Sequence, residues 1–108
     1  MTLRGWESEL IGERIRALIV AESKIPREKL LSASRAGRMP FWRSVGMYLC
    51  VRSGISERDS GRIFGQARGN KAKVKIEKRV RKSPAFAREM ARLEAMLGIG
   101  EQVSNAEA

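Results

Sequence analysis

The chain has 108 residues, 43% of them hydrophobic, 31% charged and only 6% aromatic, which suits one compact domain with a core of Leu, Ile, Val, Met and Ala. Its 22 Lys and Arg against 12 Asp and Glu leave a formal charge of +10 and a pI near 10.9, a field that attracts polyanions. A single cysteine, Cys50, and no histidine leave no internal disulfide, no zinc cage of the usual kind and no base for a nucleophile triad, so no metal, no cofactor and no enzyme activity are expected.

From Trp6 to Ala21, apolar Trp6, Leu10, Ile11, Ile15, Leu18 and Ile19 recur near the spacing of one helical face, with Glu7, Glu13, Arg14 and Arg16 elsewhere. This is an amphipathic helix, and Trp6 is expected in the core or at its rim. Glu7, Glu9 and Glu13 read as a solvated face, and they argue against a signal peptide or membrane span. A cytoplasmic, nucleoid-associated protein is expected. In the segment KIPREKLLS, Pro26 opens a short helix that closes on Leu30 and Leu31.

Ser34, Gly37 and Pro40 then interrupt the periodicity while Arg35 and Arg38 add charge, which predicts an exposed basic loop. The run FWRSVGMYLCVRSG has few charges and predicts a helix buried around much of its circumference and ending at Gly54. Phe41 and Trp42 fall to the core or its rim, and Cys50 reads as a small buried hydrophobe rather than a nucleophile.

Ser56 offers an N-cap to a helix with Glu57 and Asp59 in its first turn, running to Phe64 and stopping at Gly65. The connection GQARGN leads to KAKVKIEKRVRK, for which Asn70 is the candidate cap. At about 100° per residue, Ala72, Ile76 and Val80 cluster on one side of this helix and Lys71, Lys75, Lys78 and Lys82 on another. Between Arg68 and Lys82 eight basic residues, including Lys73, Arg79 and Arg81, face one acid, Glu77. Ser83 and Pro84 start a last helix with an apolar stripe of Phe86, Met90, Leu93 and Leu97, ended by Gly98. One domain over 1–98 and a disordered tail over 99–108 are expected.

Two short helices separated by a glycine-containing turn, the second strongly basic, have the organisation of a helix-turn-helix. The fold expected is all-α, a bundle of five to six helices. A helix fits the major groove, its N-terminal side chains reach base edges, and its cations neutralise phosphates. The recognition helix is placed at about 70–82. Arg68, Asn70, Lys71 and Lys75 are the candidates for base contact, with Lys73, Lys78, Arg79 and Lys82 on the backbone. The partner expected is double-stranded DNA.

The block LLSASRAGRMPFWRSVGMYL followed by SERDSGRIFG resembles the C-terminal DNA-binding domain of the bacterial replication initiator DnaA, a Trp-repressor-like helix-turn-helix. Leu30, Leu31, Ser32, Arg35, Arg43, Met47, Tyr48, Leu49, Ser56, Gly61, Phe64 and Gly65 stand at the matching places, and the resemblance spans roughly residues 7–97. It implies a basic loop over 35–43 on the backbone and minor groove, with Arg35, Arg38 and Arg43, and it adds Ser56 to the contacts. The family's Gly-Arg-Asp-His-Thr-Thr signature is replaced: Arg68 can stand for its arginine, but Gly69, Asn70 and Lys71 follow. The initiator's own site is therefore not implied. Since the chain holds no Gly-x-x-x-x-Gly-Lys-Ser/Thr phosphate loop, a stand-alone relative acting on replication or transcription, or as an architectural protein, is expected. Two other readings stay open: a protein-interaction module that docks the basic helix on an acidic partner, and a structured-RNA binder. A homodimer or protein contact through the N-terminal helix belongs with the first of these.

Overall fold

The structure, a computed structural model, describes residues 5–31, 37–65 and 70–98. It is all-helical, with no strand among the described residues. The helices are α1 (Gly5–Ser23), α2 (Arg27–Leu30), α3 (Met39–Arg52), α4 (Glu57–Ile63), α5 (Asn70–Lys82) and α6 (Pro84–Met96). The small helical bundle expected from the sequence is what forms.

Helix α3 is the centre of this bundle. Every residue from Arg43 to Cys50 is buried, because α1, α2, α4 and α5 all pack against it, while α6 rests mainly on α5. Its low charge makes this possible, since a helix enclosed on all sides cannot carry solvated groups. The core joins Ile15 and Ile19 of α1, Val45 and Leu49 of α3, Ile63 and Phe64 at the end of α4, Ile76 of α5, and Met90 and Leu93 of α6.

Two glycines set how closely the elements approach. A Cβ at Gly46 would overlap the ring of Phe64, so only glycine lets that fully buried ring lie on the α3 backbone. Gly65 stops α4 with φ +69°, and a Cβ there would come 2.7 Å from the Leu31 carbonyl oxygen. The chain thus leaves α4 tight against the end of α2.

The inward line of α1 differs from the expectation. Ser8, Gly12, Ile15, Ile19 and Ser23 are buried, whereas Trp6 is 63% exposed and Leu10 60%. At about 100° per residue Leu10 projects roughly opposite Ile19, so the apolar positions do not share one face. Small residues take the inner positions instead, and Gly12 lets Ile63 of α4 close on the helix. Trp6 is accordingly not a core residue.

Other boundaries shift by local chemistry. Helix α3 begins at Met39, two residues before Phe41, because Pro40 suits a first helical turn. Helix α5 includes Asn70 as its first residue, and the expected capping by the Asn70 side chain lies outside the described residues, as do residues 32–36, 66–69 and the tail 99–108. The caps at Ser56 and Ser83 form as read: their hydroxyl oxygens accept from the Asp59 N–H at 3.1 Å and the Phe86 N–H at 3.2 Å.

Candidate nucleic-acid interface

Helix α5 has no glycine or proline in its 13 residues and presents two chemically distinct sides. Ala72 and Ile76 are buried against α3 and Val80 packs at the edge of the core. This fixes the rotation of the helix about its axis. Lys71, Lys75, Lys78 and Lys82 consequently lie on its exposed side, spaced over about 16 Å at 1.5 Å per residue. An ion pair at 3.9 Å from Lys73 to Glu77, and another at 3.9 Å to Glu57 of α4, tie the adjoining flank to the preceding helix.

The carboxylates of the described residues are largely spent elsewhere. Glu13 pairs with Arg16 and Arg27, Glu22 and Glu89 with Arg92, Glu94 with Arg52, and Asp59 with Arg62. Hydrogen bonds donated to these carboxylates, Glu94 and Glu22 foremost, hold the Arg52 and Arg92 guanidinium groups above their ordinary range. Among the described residues, no carboxylate pairs with Lys71, Lys75, Lys78 or Lys82. The excess charge of α5 is therefore left facing solvent on one flank.

The remaining sequence candidates separate. Arg38 is exposed in the turn just before α3. Arg43, expected with it in the basic loop, is only 3% exposed; its Nε donates to the Leu30 carbonyl at 2.5 Å and its Nη2 to the Lys29 carbonyl at 3.2 Å. Those oxygens end a four-residue helix too short to satisfy them, so Arg43 is committed to the junction of α2 and α3 and is not a surface contact. Ser56 is occupied as a cap, and Lys73 by its two carboxylates. Arg79 is exposed, with its guanidinium carbon 5.1 Å from the Phe41 ring centre and 4.8 Å from that of Phe86. Arg35 and Arg68 lie outside the described residues, and of Asn70 only the backbone is described.

One outward residue of α5 escaped the sequence reading, Val74, 43% exposed between Lys71 and Lys78; Arg81, counted in the basic run but not among the contact candidates, is exposed on the same side. The helical wheel held that signal, since both stand roughly opposite Ile76. A groove of about 290 Å³ between α1 and α4 mixes Glu9, Glu13, Arg16 and Arg62 with Ile63 and has no single charge preference. No group of three potential metal ligands occurs among the described residues, and no described helix is long and apolar enough to cross a membrane. Comparison with protein-family models, with characterised proteins and with solved structures finds no match to the chain.

Proposed function

We propose that this protein binds double-stranded DNA, with α4 and α5 acting as a helix-turn-helix and the lysine flank of α5 entering the major groove. One observation carries the reading: α5 is keyed to α3 by Ala72 and Ile76 so that four lysines, without acidic partners among the described residues, project from the same side. A rigid cylinder with an aligned row of cations complements a groove walled by phosphates. Arg38 and Arg79 extend the basic surface toward the start of α3. The resemblance to the DnaA C-terminal domain supports the same orientation, and with it a nucleoid-associated regulator of replication or transcription.

Fluorescence anisotropy of a labelled duplex across a salt series tests this. The logarithm of the binding constant falls linearly with that of the salt concentration, and replacing Lys75 or Lys78 with Ala lowers the slope by about 0.9 each. Salt-insensitive binding, or wild-type slopes in both variants, would remove the proposal. Tighter binding to an RNA hairpin or an acidic peptide in competition would select one of the other polyanionic partners. The exposed Trp6 and Leu10 of α1 support a separate protein contact on that helix, a second copy of the chain included.

A further inference from the structure

Helices α3, α5 and α6 meet at one aromatic cluster. Phe41 stands in the first turn of α3, Phe86 in the first turn of α6, and Arg79 in the last turn of α5. The two rings are 6.0 Å apart and inclined at 58°, and Trp42 closes on Phe41 edge to face at 5.4 Å. The Arg79 guanidinium lies against both phenylalanine rings, at 5.1 and 4.8 Å from carbon to ring centre.

A ring face attracts the cation but offers no lone pair to its N–H groups. The guanidinium carries five such donors in its plane, and among the described residues no carboxylate or carbonyl accepts from those of Arg79. The contrast with Arg43, Arg52 and Arg92 is direct, since each of those is consumed by oxygen acceptors within the fold. Arg79 is restrained in position with its hydrogen-bonding capacity open. Its place on the helix puts it one turn from Lys75 and from Lys82, at the edge of the lysine flank nearest α3 and α6.

We propose that Arg79 is a pre-positioned phosphate clamp, oriented by Phe41 and Phe86 to take a backbone phosphodiester of the duplex through its guanidinium fork. This rests on the DNA-binding reading of α5 and names one anchor within it. Restraint by the rings lowers the side-chain entropy lost on binding, which a free surface arginine gives up in full. The cluster also fixes the start of α3, where Arg38 lies, relative to α5, so that both basic segments meet one backbone in a set geometry.

Duplex affinity over a salt series, with a thermal melt of each variant, separates a clamp from a purely structural cation. Replacing Arg79 with Ala is expected to weaken binding roughly tenfold and to lower the salt slope by about 0.9. Arg79→Lys keeps the charge and therefore the slope, but loses the planar fork and weakens binding several-fold. Phe86→Leu keeps the slope and weakens binding in the same direction. A wild-type slope and affinity in Arg79→Ala, with Lys75→Ala and Lys78→Ala still lowering the slope, would overturn the clamp and leave the interface standing. Absence of any duplex binding by the wild-type chain would overturn both. If Phe86→Leu melts before the assay temperature, Arg79→Lys alone decides, because it leaves both rings in place.

Discussion

Cys50 illustrates how a single buried group makes stability depend on pH. The thiol is fully buried beside Ser60, and loss of solvation pushes its pKa from 9.0 to about 12. Between those values the unfolded chain releases the proton and the folded one keeps it, so the folded state binds more protons. The contribution is complete below about pH 9 and is lost as pH rises toward 12. Urea unfolding of wild type and Cys50→Ala from pH 8 to 10.5 checks the sign: the alanine variant is less stable at pH 8 through its small cavity, and the gap narrows as pH rises. A gap constant across that range would mean that the thiol ionises as easily folded as unfolded. The same burial makes Cys50 a packing residue, as its apolar neighbours in sequence imply, and removes it from nucleophilic chemistry.

At the scale of the helix, α6 shows how a short element is fixed by its first turn. Ser83 accepts from the backbone N–H of Phe86, the residue whose ring also meets Arg79, so the cap both starts α6 and seats the aromatic cluster. Replacing Ser83 with Ala is expected to cost about 1 kcal/mol, measured as a shift in the urea midpoint, while Ser83→Asp retains the acceptor and most of the stability. Equal losses in the two variants would show that the hydroxyl is not acting as a cap. Features of this kind are legible in sequence because they are local: Ser56 and Ser83 precede their helices by one residue, Gly65 and Gly98 follow theirs closely, and α3 announces its burial by its few charges. What escaped is non-local. Arg43 stands in an arginine-rich block, and only the position of the α2 carbonyls turns it inward. Trp6 and Leu10 follow an approximate helical spacing, but the direction of the core around α1 is set by the approach of Ile63 to Gly12. The Arg79 cluster depends on Phe41, 38 residues earlier in the chain, and no window of sequence contains it.

For the molecule as a whole, the question is whether the formal charge of +10 acts as a diffuse cloud or through one surface. Helices α1 and α5 pack separately against α3 and share no substantial contact, so α3 separates basic residues on α1 from those on α5. Even the shortest dimension of the molecule, 23 Å, exceeds the Debye length of about 8 Å at physiological salt, so cations remote from a bound backbone are largely screened from it. Two double variants remove the same charge from different places. Arg14→Gln with Lys24→Gln and Lys75→Gln with Lys78→Gln each lower the formal charge by two, at exposed positions without ion pairs among the described residues. The α5 pair is expected to lower the salt slope of duplex binding by about 1.8, and the pair at the middle of α1 and just past its C-terminal end to leave it close to wild type. Equal losses would mean that net charge alone drives association and that the orientation of α5 confers nothing. A loss confined to Lys75 and Lys78 would instead trace the field to the way Ala72 and Ile76 lock α5 onto α3, which is where packing becomes recognition.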